Sequence, residues 1–284
     1  MPPLVEAAGR NWALISVVVF LAFTALETLR PDRRSRPHTT GRWLGHFTVY
    51  VADLVLSSSL LPWVLLGLLA DRSATLGVRM FEPIEASGGP WAVLAAGLVC
   101  IDLLIYWTHR LQHAVPVLWR FHAVHHADTE MDVSTALLHH PIAYLGVALI
   151  VGLVMHAAGM PAWVFPVYGL FEVTAGAFQH VATPVPDRFE RALRWLMVTP
   201  GMHQVHHSID AAHHDRNFAN VLSVWDRLFG SLHVASEAER ATIRFGVEPY
   251  TEARHRGLWW MLSMPFRMGP FRAGRRGSGE AGAS

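Results

Sequence analysis

The chain has 284 residues, of which 52% are hydrophobic and only 16% are charged, and its mean hydropathy is +0.27. These values are typical of a polytopic membrane protein and argue against a soluble globular protein. The net charge of +1 gives no reason to expect a nucleic-acid partner, and the single cysteine, Cys100, excludes both a disulfide framework and a thiolate metal site.

The first apolar segment, residues 11–29, is long enough to cross about 30 Å of hydrocarbon. We predict that it is an uncleaved transmembrane helix, because no small-residue cleavage site comes before the basic block at Arg30. The following segment, 30–43, carries five arginines and one aspartate. By the positive-inside rule it lies in the cytoplasm. A nucleic-acid patch is the alternative interpretation of these arginines.

Four more apolar segments follow. Residues 46–70 and 91–107 are predicted to cross the membrane, and the Gly-, Pro- and charge-containing segment 71–90 is predicted to be an external loop between them. Residues 141–158 and 162–179 are predicted to form a helical hairpin that either crosses the membrane or re-enters on the same side. Counting the crossings places the polar segments after residues 107 and 179 on the cytoplasmic side.

Three short motifs contain eight histidines. In each motif the histidines recur three or four residues apart, which places the imidazoles in one stripe of a helix. The motifs are YWTHRLQH with His109 and His113, WRFHAVHH with His122, His125 and His126, and PGMHQVHH with His203, His206 and His207. Packing explains three such motifs poorly, because every buried imidazole has a donor and an acceptor that need partners. The sequence therefore predicts a metal centre.

The number of histidines also bears on the number of metals. A zinc site usually has four ligands, or three and a water molecule. Eight imidazoles exceed that number and favour two metals that share one pocket. Iron, zinc, copper and nickel all accept imidazole, so the spacing does not identify the metal.

The order of the motifs and their flanking residues resembles the fatty acid hydroxylase and sterol desaturase superfamily. The matching stretches are DLLIYWTHRLQH (Asp102–His113), LWRFHAVHH (Leu118–His126), FQH (Phe178–His180), MHQVHHS (Met202–Ser208) and DRNFANVLSVWDRLFGSLH (Asp215–His233). The resemblance covers residues 91–233. It implies a membrane-bound enzyme with two iron ions that uses O2 to hydroxylate or desaturate an unactivated C–H bond of a lipid.

The resemblance also implies a ligand set, carried over position by position. The predicted metal ligands are His109, His113, His122, His125, His126, His203, His206 and His207, with His180 as the ninth. His140, in a His-Pro step, is a further candidate, either as a ligand or as a residue that orients one. The other histidines are expected to be local, structural or surface residues: His38, His46, His156, His213, His214, His233 and His255.

Three more residues are candidates for the catalytic machinery: Asp102, Tyr106 and Asp226. Asp102 lies two turns before His109, where a carboxylate can fix the tautomer of a ligating imidazole. The alternative is a hydrogen bond from Asp102 to a neighbouring helix. Tyr106 can line the metal pocket or an acyl channel, or can anchor the helix at the bilayer interface. Asp226, in WDRLFG, can pair with Arg227 or with an outer imidazole.

The predicted fold is all-α, with four to five transmembrane or re-entrant helices capped by a cytoplasmic helical domain that holds the metals. We divide the chain into N-terminal transmembrane helices and loops (1–90), a histidine-box domain (91–233) and a C-terminal extension (234–284). The end of this extension, from Arg267, is rich in Gly and Arg and is expected to be disordered. The expected location is the bacterial inner membrane.

The resemblance implies two kinds of partner, and two rival functions stay open. The partners are a lipid substrate and an external electron donor (a ferredoxin, a b-type cytochrome or a flavin reductase), since the chain has no dinucleotide-binding glycine motif. The first rival is a zinc-dependent membrane hydrolase, which would work without O2. The second is a non-catalytic metal transporter or sensor. The sequence leaves the oligomeric state open.

Overall fold

The computed structural model describes residues 3–30, 40–69 and 79–269. These residues are mainly helical. Within the described ranges there is no β-strand, only two isolated bridges, Met197–Leu222 and Ser208–Phe245. The predicted all-α class is therefore confirmed. The arginines at 33, 34 and 36, His38 and the predicted disordered tail from 270 onward lie outside the described residues.

The helices follow one another with short connections through most of the chain. In chain order they are α1 (Pro3–Arg10), α2 (Trp12–Leu29), α3 (Thr40–Leu69), α4 (Phe81–Ala114), α5 (Pro116–His126), α6 (Pro141–Ala157), α7 (Val164–His180), α8 (Asp187–Leu193), α9 (Pro200–His206), α10 (Ala211–His214), α11 (Val224–Leu228), α12 (Glu237–Thr242) and α13 (Leu258–Arg267). Two short 3₁₀ helices cover Val133–Leu137 and Ala253–Arg256.

Two helices in the described part of the chain, α2 and α4, are long and apolar enough to cross a membrane, and α6 is a shorter apolar helix. They correspond to the predicted spans 11–29 and 91–107, although α2 begins at Trp12. On α2 the side chains of Leu14, Val17 and Leu21 are each more than half exposed. An exposed apolar surface of this kind suits contact with acyl chains.

The helix α4 begins earlier than the sequence suggested. The predicted loop 71–90 is wrong for residues 81–90, which belong to this helix. Gly89 has φ 64° and ψ −166°, a conformation that favours glycine, and it kinks the helix just before Pro90. Gly89 and Pro90 have the composition of a loop, but the helix resumes at Pro90 and continues past His113.

The long helices pack against one another beside the histidine motifs. α2 packs on α7, α3 packs on α6, and α4 contacts α5, α6 and α7. A methyl group added at Gly97 of α4 would lie 2.6 Å from Val164 Cγ1 of α7. Small residues allow this close approach, which is the main source of helix association within a bilayer.

A buried carboxylate in α2 binds the backbone of two other segments of the chain. Glu27 is 1% exposed, and its Oε1 accepts hydrogen bonds from the amides of Val133 (2.9 Å) and Ala182 (2.5 Å). These two segments follow α5 and α7, the helices that carry several of the predicted ligands. Sequence analysis missed Glu27, although a lone carboxylate within an apolar helix is the signal that would have found it.

A buried ion-pair network holds the segment after α5 against α3. Arg42 lies 2.6 Å from Asp128 Oδ2 and also pairs with Asp132. Its guanidinium donates to the carbonyl oxygen of Glu130 as well, at 2.7 Å. Arg42 and its partners lie far apart in the sequence, so the local spacing of residues did not reveal the network.

Replacing Arg42 by methionine is expected to lower the free energy of unfolding by about 3–5 kcal/mol, because Asp128 and Asp132 would stay buried without their cation. The matched control is Arg79→Met, since Arg79 forms an exposed pair with Glu82. That pair contributes about 0–1 kcal/mol. Thermal unfolding in detergent measures both variants. Equal unfolding temperatures for the two would contradict the assignment.

Candidate metal centre

Helix boundaries bring the three histidine motifs to one buried region. α4 ends at Ala114, Val115 is extended, and Pro116 starts α5, so the first two motifs lie on consecutive helices joined by a single turn. Proline suits the first turn of a helix, where its missing amide hydrogen costs no bond. Pro200 starts α9 in the same way, and His180 is the last residue of α7.

The nine predicted ligands form two groups. Cluster A consists of His109, His113, His122, His126 and His206, and cluster B consists of His125, His180, His203 and His207. Within each cluster the ligand atoms all lie within 4.8 Å of one another. The clusters adjoin, since the rings of His126 and His207 stack with centroids 4.4 Å apart. The structure therefore brings together all nine histidines.

Backbone carbonyl groups fix the orientation of four of these rings. In each case the Nδ1–H donates to a carbonyl oxygen: His109 to Phe218 (2.8 Å), His206 to Arg216 (2.8 Å), His125 to Leu138 (3.0 Å) and His180 to Gly176 (2.7 Å). Because a carbonyl oxygen only accepts, Nδ1 must carry the proton. In a neutral ring Nε2 then carries the lone pair.

The Nε2 atoms lie so close together that hydrogen bonds between them cannot satisfy all of them. His122 Nε2 lies 3.0 Å from His109 Nε2 and 3.2 Å from His126 Nε2, and it can share at most one proton with the two. The Nε2 atoms of His113 and His206 are buried and have no hydrogen-bond partner among the described residues. Converging lone pairs and orphaned nitrogens fit a bound cation in cluster A, and the Nε2 atoms of His180 and His207 likewise lie 3.0 Å and 3.1 Å from His203 Nε2 in cluster B.

The environment also keeps the imidazoles in the form that binds metal. Burial lowers the pKa of His122, His125 and His126 well below its ordinary value, and neighbouring histidines lower it further. The same causes lower the pKa of His203, His206 and His207. The rings are therefore neutral at pH 7, and a metal need not displace their protons.

Asp226 binds the Phe218–Ala219 peptide unit, which in turn binds His109. Its carboxylate accepts hydrogen bonds from the amides of Phe218 (2.8 Å) and Ala219 (3.1 Å) and from the Ser231 hydroxyl (2.7 Å). The carbonyl group of the same Phe218 accepts the Nδ1–H of His109. Burial raises the pKa of Asp226 to about 6, while these donors favour the carboxylate.

Tyr106 lies in the same hydrogen-bond network. Its hydroxyl is 2.8 Å from Ser231 Oγ and accepts a bond from Arg110 at 3.0 Å. The ring is fully buried and stacks on Phe229 with centroids 5.2 Å apart. Arg227, the other predicted partner of Asp226, donates instead to Ser223. The structure thus places Tyr106 beside Asp226, and a role in the wall of the metal pocket stays a prediction.

Asp102 of α4 binds the backbone before α11 and side chains of α7 and α11. Its carboxylate accepts hydrogen bonds from the Tyr168 hydroxyl (2.8 Å), the Leu222 amide (2.9 Å), the Val221 amide (3.1 Å) and the Trp225 indole (2.8 Å). Of the two interpretations of Asp102, the structure shows the bonds to neighbouring elements. We find no hydrogen bond from it to a histidine in the described residues.

His140 lies apart from both clusters. It caps α6 by accepting from the amide of Ile142 at 3.2 Å, and its other nitrogen is 3.2 Å from the Leu262 carbonyl oxygen. Its neighbour His139, which sequence analysis missed, stacks on His125 with centroids 4.3 Å apart. Burial lowers the pKa of His139 to about 3. The only signal for it in the sequence is its place before the His-Pro step.

Asp215 is a third residue that sequence analysis missed, after Glu27 and His139. Its Oδ1 lies 3.3 Å from His113 Nδ1, where a carboxylate orients a ligating imidazole. Close by, a cavity of about 340 Å³ opens beside His126 and is lined by Trp119, His214 and residues 246–250. Cluster A is therefore the cluster that lies beside an opening to the surface.

Comparison with known proteins gives the site its context. Residues 94–231 match the family model of the fatty acid hydroxylases. Human alkylglycerol monooxygenase is 30% identical over 165 residues, which are 56% of this chain and 33% of that protein. The ornithine lipid hydroxylase OlsE of Rhizobium tropici is 31% identical over 137 residues, 48% of this chain and 40% of that protein.

The fatty acid hydroxylase vlmA of a Lecanicillium species is 26% identical over 222 residues, 66% of this chain and 58% of that protein. The matched part of the chain thus spans about a third of the alkylglycerol monooxygenase and less than two thirds of the others. No solved structure matches. Both histidine clusters fall within the matched residues. Residues 94–231 of the chain, which include both clusters, thus resemble the fatty acid hydroxylase and sterol desaturase superfamily.

Proposed function

We propose that the protein is an integral membrane oxidoreductase with two iron ions that uses O2 to hydroxylate or desaturate an unactivated C–H bond of a lipid. The observation that carries the proposal is the pair of adjacent, buried clusters of neutral imidazoles within the matched domain. The related proteins bear the names of lipid hydroxylases and monooxygenases, which supports this reaction class.

The residues fit a metal pair. Cluster A would hold one iron and cluster B the other, and bound iron would supply the activation of O2 and the abstraction of hydrogen. The carbonyl oxygens of Phe218, Arg216, Leu138 and Gly176 keep the ligating rings in the required tautomer. A zinc hydrolase needs only three or four ligands, so it leaves about half of these imidazoles without a role.

The placement of the clusters supports a lipid substrate and the predicted topology. His109 and His113 lie at the end of α4, directly after a stretch that can cross the membrane. This placement would bring a lipid in the bilayer close to cluster A. With the arginines of 30–43 on the cytoplasmic side, the clusters also face the cytoplasm of a multi-pass inner-membrane protein. Residues 91–233 would form the catalytic domain.

The electrons would come from a separate ferredoxin, b-type cytochrome or flavin reductase. Two exposed arginines of α8, Arg188 and Arg191, offer such a carrier a basic surface. An acidic partner is attracted to a surface of this kind at low salt, and the attraction weakens as salt is added.

Mass spectrometry of lipid extracts tests the proposal. In a bacterial host, the wild-type protein is expected to produce lipids that have gained one oxygen atom or lost two hydrogen atoms. The same host with a His206→Ala variant is expected to lack them. Products that persist in this variant would contradict the proposal, and so would products of hydrolysis alone.

A further inference from the structure

A third group of side chains with metal-binding atoms lies outside clusters A and B. It consists of His213 of α10, His233 after α11 and Glu239 of α12, whose ligand atoms all lie within 4.8 Å of one another. Glu239 Oε1 is 3.6 Å from His233 Nε2 and 4.0 Å from His213 Nε2. The planes of the two rings are tilted by 40°, with centroids 5.3 Å apart.

The distances from Glu239 Oε1 to the two Nε2 atoms suit ligand atoms arranged around one cation. They are too long for hydrogen bonds, which measure about 2.7–3.2 Å. Two atoms bound tetrahedrally to one zinc at about 2.0–2.1 Å are about 3.4 Å apart, close to the distances seen here. The Nε2 atom of His233 is also shielded from solvent and has no hydrogen-bond partner in the described part of the chain. A cation would satisfy this nitrogen.

Other contacts hold the Glu239 side chain and the His233 backbone in this arrangement. The amide of Ser236 donates to Glu239 Oε2 at 2.7 Å in a capping box, which leaves Oε1 directed at the histidines. The amide of His233 donates to Asn217 Oδ1 at 2.7 Å, and Asn217 Nδ2 donates back to the His233 carbonyl oxygen at 2.8 Å. The Glu239 carboxylate and the His233 backbone are therefore in place before any ion binds.

We propose that His213, His233 and Glu239 bind one Zn²⁺ ion, completed by water. Two imidazoles and a carboxylate form a common zinc ligand set. Zinc binds more tightly than Fe²⁺ to ligands that impose no special geometry. The ion would fasten α12, in the C-terminal extension, to the loop that carries Arg216. The Arg216 carbonyl oxygen orients His206, so the zinc would steady one edge of cluster A.

The test uses the full-length, iron-loaded protein in detergent, equilibrated with a small excess of Zn²⁺ and analysed for both metals by mass spectrometry. We expect one added zinc per chain with no loss of iron. Glu239→Gln should abolish this zinc, and its amide oxygen can still accept the Ser236 bond. The matched control Glu237→Gln changes an exposed carboxylate in the same helical turn and should keep the zinc.

Co²⁺ gives a second readout, because a tetrahedral visible spectrum should appear in the wild type and be lost in Glu239→Gln. Equal zinc in Glu239→Gln and the wild type would overturn the proposal. Zinc gained only as iron is lost would overturn it too, since the ion would then occupy clusters A and B. A lack of iron before zinc is added would instead count against the proposed oxygenase function, so the two failures are distinct.

Discussion

Alanine in place of His206 or of His203 is expected to lower lipid oxidation by more than about 100-fold. Loss of a residue that merely orients a ligand costs about 10–100-fold, and loss of the ligand itself should cost more. His206 belongs to cluster A and His203 to cluster B. Each variant should therefore lose iron from its own cluster, while activity falls in both because the reaction needs the pair.

Iron content per chain and the rate of lipid oxidation are the two measurements. His156→Ala is the matched control, because His156 is exposed on α6 and belongs to neither cluster. It should keep both iron and activity. A His206→Ala protein that retains two irons and full activity would show that cluster A is not a metal site.

Asparagine in place of Asp226 is expected to weaken iron binding in cluster A by about 10–100-fold. The carboxylate accepts from two amides and a hydroxyl, and the amide group of asparagine would turn a donor toward one of them. The Phe218 peptide would then shift, and His109 would lose its orientation. The rate at which a chelator removes iron measures the effect.

The outcome separates positioning from simple destabilisation. If Asp226 acts through His109, excess iron should restore activity in Asp226→Asn, and about one iron per chain should resist the chelator. Asp187→Asn, which alters an exposed carboxylate paired with Arg240, should behave like the wild type. If Asp226→Asn releases iron no faster than this control, Asp226 does not position the metal site.

The histidine spacing predicted which residues lie close together, but not which of them belong to cluster A and which to cluster B. Each residue turns an α-helix by about 100°, so positions i and i+4 lie about 40° apart, whereas i+3 lies on the other side of i. The pair His203 and His207 joins cluster B, and His206 joins cluster A. In α5 the pair His122 and His126 joins cluster A, and His125 joins cluster B. The histidines of each of these two motifs therefore form two stripes on the helix, whereas the sequence predicted a single stripe.

His180 shows what resemblance adds to spacing. It has no histidine neighbour at helical spacing, and it entered the predicted ligand set through the stretch FQH. In the structure it lies in cluster B with Nε2 3.0 Å from His203 Nε2. Residue patterns alone would have left it as a buried histidine.

Partners from distant parts of the chain were beyond prediction. Asp102 binds the backbone at 221–222, and Arg42 binds Asp128. Such pairs depend on how the helices pack, which local periodicity does not encode. The helix at 81–88 was missed for a different reason, since Gly89 and Pro90 together have the composition of a loop.

Labelling with ¹⁸O₂ tests the central claim most directly. The iron-loaded protein, supplied with a reductant and a lipid substrate identified from the host extracts, should yield a hydroxylated lipid that carries one ¹⁸O atom. If the reaction is a desaturation, the unsaturated lipid should form only when O2 is present. Product formed without O2, or oxygen in the product that comes from water, would contradict an oxygenase and favour a metal-dependent hydrolase.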